Sequence, residues 1–300
     1  MKRTRKNDKR KAIALSVVAL AACVSVVLPM KTCGGNSKMD TSESIQQPSI
    51  VYSEFYNSQA QVETSEPESV SKEVTMFTTC SVHLREQSSR ESNSLGVLPA
   101  SQIVTAYVIE DADWYEVHYN GVQGYILSDY LQAYDSQLHI DIGLDYVHQD
   151  LVREMITLFH LDIDEYFMYG MMYTENRFQN EPESIAGAQG ILQIMPSTWE
   201  FLYEKFQKEY PEYSYLLVND STDKTSNIIL GMYYISYIQH CYGFDSAAEN
   251  AHTILTAYNR GMSGADKYCK EYGTYETSYS QEILRAAEYI REHKTWKEGL

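Results

Sequence analysis

Cysteine is scarce in this sequence, and its spacing is irregular. The 300 residues include five cysteines, which are Cys23, Cys33, Cys80, Cys241 and Cys269. An odd number without regular spacing does not indicate a disulfide framework. Cys241 and Cys269 lie in the same half of the chain and could pair if the chain is exported. With His240 and His252 they form no C-x-x-C or H-x-x-x-H spacing, so we predict no metal site.

Basic residues are few outside the N-terminus. The chain has 24 Lys and Arg against 41 Asp and Glu, a formal net charge of −17. Residues 1–31 contain eight of these cations and one acid, so the remainder has 16 cations and 40 acids, a net charge of −24. Such an acidic body argues against nucleic acid as a partner. The hydrophobic content of 44% is sufficient for buried cores, and the length suggests about two domains.

Residues 1–33 have the pattern of a membrane anchor or an export signal. A basic stretch at residues 2–11 precedes an apolar run from Ala12 to Met30. As a helix this run would reach about 28 Å, close to the hydrocarbon thickness of a bilayer. Basic residues stay on the cytoplasmic side, so we predict that the rest of the chain is extracytoplasmic and membrane-anchored. Two alternatives remain open, a lipoprotein anchored through Cys23 and a secreted protein with a cleaved signal.

Residues 34–73 are rich in Ser, Glu, Gln and Thr and show no sustained hydrophobic period. Such a composition buries too little apolar surface to fold. We therefore predict a disordered tether, with a root-mean-square span of roughly 35 Å.

Residues 74–134 alternate with a period of two, which is typical of short strands. Trp114–Tyr119 and Gln123–Leu127 flank Asn120-Gly121, a strong hairpin signal. The V-H-L-R start at Val82, the N-G-x-x-G-Y hairpin and the S-x-Y-L close at Ser128 resemble the bacterial Src-homology-3-like domain. This resemblance implies a small all-β barrel that binds wall peptides without catalysing a reaction. A spacer that only positions the next domain is the alternative.

The pattern is helical over residues 141–300, and one acidic residue there lies on an apolar face. At helical spacing, Glu175 shares a face with Phe167, Met171 and Phe178. Burial would raise the pKa of this carboxyl toward neutrality, which suits a general acid. We predict that a helix opening near Asp164 places Glu175 at its C-terminal end.

Two further local signals follow Glu175. Ser197-Thr198-Trp199-Glu200 is predicted to be a capping box that starts the next helix. Gly231, within a later helical pattern, is predicted to allow the close approach of another helix.

Three ordered motifs contain or follow Glu175. They are E-N-R-F at 175–178, S-I-A-G-A-Q-G-I-L-Q-I-M-P at 184–196 and A-Y-N-R-G at 257–261. They resemble the lysozyme-like catalytic domain of the soluble lytic transglycosylase (SLT) family, marked by E-S-x-F, S-x-x-G-A-x-G-L-M-Q-x-M-P and A-Y-N-x-G. Tyr279 completes a family segment of the form E-T-x-x-Y. The resemblance covers about half of the chain and departs at Asn176, where the family has Ser.

The resemblance implies a small Src-homology-3-like barrel followed by a mainly α lysozyme-like domain. The N-terminal pattern adds a transmembrane or signal segment before them. The implied reaction cleaves the β-1,4 bond between N-acetylmuramic acid and N-acetylglucosamine and leaves 1,6-anhydromuramic ends. Glu175 would be the catalytic acid and later the base, with the Tyr258 hydroxyl against its carboxylate. The residues expected to bind substrate are Asn176, Ser184, Gln193, Met195, Tyr258, Asn259 and Glu276.

The expected partners follow from these assignments. They are peptidoglycan glycan strands at the catalytic domain, wall peptides at the barrel and the membrane at residues 12–30, and no cofactor is expected. Two alternatives remain. A hydrolytic muramidase would need a second carboxylate, for which Glu181 and Glu183 are nearest in sequence. A non-catalytic wall-binding protein would use both domains as ligand modules.

A fragment of residues 74–300 should keep the catalytic activity of the whole chain, because the removed residues are predicted to be only an anchor and a tether. The measurement is release of soluble fragments from purified cell walls. A fragment that is folded by circular dichroism but inactive would refute this prediction.

Overall fold

The computed structural model describes residues 71–179 and 184–296, which form a β unit followed by a helical unit. The predicted anchor and nearly all of the predicted tether lie outside the described residues. Within the described ranges, no helix is both long and apolar enough to span a bilayer.

The β unit is one antiparallel sheet of seven strands in the order β3-β2-β6-β5-β4-β1-β7. The strands are β1 Lys72–Thr78, β2 Val82–Arg85, β3 Ser94–Leu98, β4 Ile103–Val108, β5 Trp114–Tyr119, β6 Val122–Leu127 and β7 Leu131–Ala133. The buried side chains of this sheet form an apolar core that includes Leu84, Val104, Val117 and Ile126. The predicted hairpin joins β5 to β6, where Asn120 and Gly121 have positive φ angles of 48° and 78°.

Strand β1 begins before the boundary predicted from the sequence. Lys72 and Glu73 pair with Val108 and Tyr107 of β4, because backbone pairing continues beyond the apolar alternation that marked residue 74. A fragment beginning at residue 74 would remove these pairs. The fragment used in the activity test should therefore begin at residue 71.

The helical unit contains seven α-helices within the described residues. They are α1 Tyr146–Leu158, α2 Glu165–Asn176, α3 Pro196–Glu209, α4 Lys224–Tyr242, α5 Ala251–Arg260, α6 Met262–Tyr272 and α7 Ser278–His293. Residues 166–173 of α2 are all buried, so this helix is the centre of the core. It packs closely on α7: a Cβ atom at Gly170 would lie 2.6 Å from the carbonyl oxygen of Ile283.

The helix starts only partly match the sequence signals. As predicted, α2 begins at Asp164, whose carboxylate accepts the backbone N–H of Phe167 at 3.1 Å. The predicted capping box at Ser197 is wrong. The N-cap residue of α3 is Met195, two residues before Ser197, and it makes no side-chain cap. The helix begins at Pro196 because proline has the φ angle that a first helical residue requires.

Gly231 has a different neighbour from the one predicted. A Cβ atom there would overlap the side chain of Leu192, which lies in the segment between α2 and α3. The glycine therefore makes room for a loop and not for another helix.

Aromatic rings join the β unit to the helical unit. The buried ring of His139 lies 5.0 Å from that of Phe77 in β1 and 5.3 Å from that of Tyr146 in α1. Tyr134 stacks on the same imidazole at 5.5 Å. The backbone N–H of Tyr146 donates to the Ser101 hydroxyl of the β unit at 2.9 Å. Apolar and polar contacts thus fix the start of α1 against the sheet.

Asp150 of α1 is the polar centre of this joint. Its carboxylate accepts from Gln132 Nε2 of β7 at 2.7 Å, from His139 Nε2 at 2.9 Å and from the Arg153 guanidinium. The backbone N–H of Asp135 donates to His139 Nδ1 at 3.0 Å, so Nε2 carries the proton that Asp150 accepts. The Asp150 carboxylate therefore connects β7, the segment between β7 and α1, and α1 itself.

Replacing Asp150 with Ala should destabilise the chain by about 1–3 kcal/mol, because the buried His139 N–H and the Gln132 amide lose their acceptor. Urea unfolding of residues 71–300 measures this loss. Asp129→Ala, at an exposed acid of the β unit, is the matched control and should stay within about 0.5 kcal/mol. Equal losses in the two variants would contradict the role given to Asp150.

Candidate active site

Glu175 is half-buried in the last turn of α2. Burial raises the pKa of its carboxyl to about 7, and a hydrogen bond from Tyr279 limits the rise. The partial negative charge at a helix C-terminus also disfavours an ionised carboxylate. No basic side chain among the described residues offsets these effects. At neutral pH, Glu175 therefore exchanges readily between its acid and its carboxylate forms.

The chain turns sharply after Glu175. Helix α2 ends at Asn176, and Arg177 and Phe178 both have left-handed φ angles, of 52° and 60°. Phe178 therefore does not continue the helix face that its spacing suggested. It is nevertheless buried in the same core as Phe167 and Met171, so the apolar surroundings inferred for Glu175 are present.

Tyr279 is the hydrogen-bond partner of Glu175, and its hydroxyl donates to Oε1 of the carboxyl group. It lies in the first turn of α7, which is fixed by a capping box between Thr277 and Ser280. The sequence placed Tyr279 only in the E-T-x-x-Y segment and assigned no contact to it. Because the two residues are 104 positions apart, the close packing of α2 on α7 is what brings them together.

Tyr258 differs from its predicted role. Its hydroxyl donates to the backbone carbonyl of Leu192 at 2.8 Å and not to Glu175. Burial raises the pKa of the Tyr258 and Tyr279 hydroxyls well above the ordinary value, with the nearby Glu175 as a further cause. Both tyrosines therefore remain neutral hydrogen-bond donors beside the acid.

The carbonyl oxygen of Gly190 accepts hydrogen bonds from both amide side chains of the predicted site. It accepts Asn176 Nδ2 at 3.2 Å, Gln193 Nε2 at 2.9 Å and the Gln193 backbone N–H at 3.1 Å. Gln193 has a left-handed φ of 47°, which turns its side chain back over the loop. The residue after Glu175 is thus linked directly to the Gly190–Gln193 turn.

Asn227, near the start of α4, is a positioning residue that lies outside the three sequence motifs. Its buried side chain accepts the Leu192 N–H at 2.8 Å and donates to the carbonyls of Gln189 at 3.0 Å and Ser221 at 2.9 Å. A Cβ atom at Gly190, where φ is +78°, would overlap the Asn227 amide. Gly190, the second glycine of G-A-Q-G, is therefore required because the Asn227 side chain of α4 occupies the space of a Cβ atom.

The other predicted site residues make no hydrogen bond to the Glu175 carboxyl in the described part of the chain. Ser184 closes its own loop, because its hydroxyl accepts the Ala188 N–H at 2.9 Å. Met195 is 41% exposed just before α3, and Asn259 is exposed in the last turn of α5. Glu276 is exposed and accepts Gln281 Nε2 at 2.7 Å. The structure thus joins Asn176 and Gln193 directly at Gly190 and gives none of these four residues a hydrogen bond to Glu175.

A surface cavity of about 280 Å³ lies beside this group. Its walls are Ser197, Thr198, Phe201, Tyr234, Tyr237 and Met262. The ring of Tyr234 lies 5.2 Å from that of Tyr258, which connects the cavity to the Leu192 loop. Aromatic faces with hydroxyl groups at the rim suit a ligand that has both apolar and polar edges.

The structure also describes the candidate metal and disulfide residues. Cys241 and Cys269 are both thiols and form no disulfide with each other. Within residues 71–179 and 184–296, no group of three or more His, Cys, Asp or Glu side chains is placed to hold a metal ion. Glu181 and Glu183 lie outside the described residues.

Comparison with known proteins agrees with these assignments at the level of domains. Residues 160–281 match the family model of the transglycosylase SLT domain, and residues 81–132 match that of the bacterial SH3 domain. The chain therefore contains a bacterial SH3 domain followed by a transglycosylase SLT domain. No curated protein matches the chain.

One similar solved structure is the X-ray structure of an inactive mutant of the lytic transglycosylase Slt from Pseudomonas aeruginosa. The two chains are 18% identical, with a TM-score of 0.39. The match covers 48% of this chain and 24% of that chain. This chain thus spans about a quarter of the length of that structure.

Tyr279→Phe should raise the pKa of Glu175 by about one unit, because the lost hydrogen bond stabilised the ionised carboxylate. Tyr258→Phe is the matched control, since that hydroxyl binds Leu192, and it should shift the pKa much less. Both values can be measured by carbon-13 NMR titration of the Glu175 carboxyl. An unchanged pKa in Tyr279→Phe, or equal shifts in both variants, would contradict the assignment.

Proposed function

We propose that this chain is a peptidoglycan lytic transglycosylase that cleaves between N-acetylmuramic acid and N-acetylglucosamine and forms 1,6-anhydromuramic ends. The observation that supports this most is the half-buried Glu175, with a pKa of about 7 and a hydrogen bond from Tyr279. It lies within the match to the transglycosylase SLT domain. A carboxyl that titrates near neutral pH can donate a proton and later accept one.

In the first step, protonated Glu175 donates its proton to the glycosidic oxygen, and the C1–O bond of the muramic residue breaks. The leaving N-acetylglucosamine takes that oxygen as a hydroxyl group. In the second step, the Glu175 carboxylate removes the proton from the muramic 6-hydroxyl, and this oxygen bonds to C1. The carboxyl regains its proton, so one side chain completes both steps.

Tyr279 acts on the intermediate between these steps. Its hydroxyl is a neutral donor because its pKa is raised far above neutrality. The hydrogen bond to Glu175 is stronger when the carboxyl is ionised, so it stabilises the form produced by the first proton transfer. It also holds the carboxylate in position for the second transfer.

The side-chain oxygen atoms of Asn176 and Gln193 are available to accept hydrogen bonds from substrate. Asn176 and Gln193 both donate through nitrogen to the Gly190 carbonyl, so each amide oxygen can accept from a sugar hydroxyl or an N-acetyl N–H. Ser184 shapes the loop below the sugar. Met195, Asn259 and Glu276 are exposed, and we assign them contacts to more distant parts of the glycan.

Ring closure by the 6-hydroxyl needs no second carboxylate, whereas muramidase chemistry normally uses one. Among the described residues, no other carboxylate contributes to the pKa of Glu175. Glu181 and Glu183 are the residues through which a hydrolytic alternative would act, and the product analysis below distinguishes the two reactions.

The proposed location follows from the substrate. Peptidoglycan lies outside the cytoplasmic membrane, so the catalytic domain works there, with residues 12–30 as its anchor. A lipidated Cys23 or a cleaved signal are the alternatives. The barrel binds the wall, which raises the local concentration of glycan at the tethered catalytic domain.

Glu175→Gln should lower turnover of purified peptidoglycan by roughly 10²–10⁴, because the amide keeps the shape of the side chain but cannot transfer the proton. Glu282→Gln, at an exposed position of α7, is the matched control and should retain full activity. Glu181→Gln and Glu183→Gln should change turnover little.

The released fragments provide the second readout of this experiment. Mass spectrometry should find muramic ends lighter than hydrolytic ends by one water and resistant to borohydride reduction. Mainly reducible ends, lost in Glu181→Gln or Glu183→Gln, would overturn the proposal in favour of a muramidase. No cleavage by the unmodified chain would favour a wall-binding protein.

A further inference from the structure

The segment between α6 and α7 leads directly to the tyrosine that binds Glu175. Residues 273–277 form this segment, and most of them are exposed. Tyr279 follows in the first turn of α7, where its hydroxyl donates to the Glu175 carboxyl. A connection with so little burial is free to shift unless other contacts hold it. The position of the Tyr279 hydroxyl therefore depends on what fixes this segment.

Thr256 of α5 holds the segment through two contacts. It is fully buried, and its hydroxyl donates to the backbone carbonyl of Tyr275 at 2.6 Å. Its oxygen also lies 3.2 Å from the hydroxyl of Thr277, the N-cap residue of α7. Because the Thr256 proton is used in the bond to Tyr275, the Thr277 hydroxyl donates in this second contact. One side chain of α5 thus binds both the segment and the N-cap of α7.

His252 lies one turn before Thr256 on the same face of α5. Its Nδ1 atom is 2.8 Å from the hydroxyl of Ser280, which is fully buried. Ser280 is the third residue of α7 and forms the capping box with Thr277. His252 and Thr256 therefore contact the two residues that make up the capping box.

Tyr279 lies in sequence between these two anchored residues. The capping box determines the conformation of the first turn of α7, but it cannot place that turn relative to other helices. The contact of α2 with α7 lies farther along, where a Cβ atom at Gly170 would meet Ile283 and Ala287. The packing of α2 thus fixes the middle of α7, and the contacts from α5 fix its first turn.

The opposite face of α5 supports the other part of the candidate site. Tyr258 is two positions after Thr256, so the two side chains leave the helix in nearly opposite directions. Tyr258 donates to the Leu192 carbonyl. Helix α5 therefore contacts the Leu192 loop on one side and the start of α7 on the other.

We propose that Thr256 and His252 are positioning residues that hold the Tyr279 hydroxyl against the candidate acid. They do so by fixing the first turn of α7 to α5. Both residues lie outside the three sequence motifs. In the part of the chain that the structure describes, no hydrogen bond joins either of them to Glu175. Their influence on the acid therefore passes through Tyr279.

The test is a double-mutant cycle between Thr256→Val and Tyr279→Phe in the full chain, measured by carbon-13 NMR titration of the Glu175 carboxyl. Valine keeps the branched shape of threonine and removes the hydroxyl. Thr256→Val alone should raise the pKa of Glu175 by about half a unit, because a displaced Tyr279 hydroxyl stabilises the carboxylate less. In the Tyr279→Phe background, the same substitution should cause no further shift.

Two more variants complete the cycle. Thr256→Ser should keep the pKa of the unmodified chain, because serine can donate the same hydrogen bond. His252→Leu removes the contact with Ser280 at a half-buried position and should also raise the pKa of Glu175. It replaces Thr256→Val in the cycle if that variant does not fold. An unchanged pKa in either folded variant, or shifts that add in the Tyr279→Phe background, would overturn the proposal.

Asp150→Ala is the control for a loss of stability alone. It is expected to weaken the joint between the β unit and the helical unit, and it should leave the pKa of Glu175 unchanged. A shift equal to that of Thr256→Val would show that the pKa follows global stability. That result would also overturn the positioning role.

Kinetics on soluble glycan fragments provide a second readout, which rests on the function proposed above. Thr256→Val should lower kcat about threefold, the rate factor that corresponds to half a pKa unit. KM should stay nearly constant, because the buried Thr256 does not touch substrate. A higher KM with unchanged kcat would contradict the proposal. If the unmodified chain cleaves no glycan, the NMR titration still decides the positioning role, so the two proposals can fail separately.

Discussion

The candidate site depends on the burial of one carboxyl group at the end of a buried helix. Glu175 is partly removed from water in the last turn of α2, and its pKa rises to about 7. Its position depends on α7, which approaches α2 so closely that Gly170 has no room for a side chain. The same packing brings Tyr279 to the carboxyl. The helix pair thus sets both the pKa of the acid and its orientation.

The loop that contains Gln189 and Leu192 is held mainly by hydrogen bonds from side chains. Asn227 satisfies three backbone groups of the two segments around it, and Tyr258 holds a fourth at Leu192. A buried amide with all of its bonds made is a rigid support, because each broken bond would leave an unpaired polar group in the core. The amide oxygens of Asn176 and Gln193 therefore start from a fixed backbone, which lowers the cost of ordering them around a ligand.

Asp150 and the rings around His139 connect the barrel to the helical unit. A wall ligand on the barrel would then be held at a fixed position relative to α1. The anchor and the tether predicted for residues 1–73 would let both domains extend from the membrane to the cell wall.

Local patterns in the sequence determined the two-domain order, the hairpin of β5 and β6, the Asp164 cap and the acid Glu175, because periodicity, turn residues and caps act over a few positions. They did not reveal β1 and β7, which pair with each other although they lie at opposite ends of the barrel sequence. Proline moved the start of α3, and Leu192 replaced a helix as the neighbour of Gly231. Only the tertiary structure decided that Tyr279 and not Tyr258 binds Glu175, and that Asn227 supports the loop. Both tyrosines are far from Glu175 in sequence, and only the packing of α2, α5 and α7 determines which hydroxyl reaches the carboxyl.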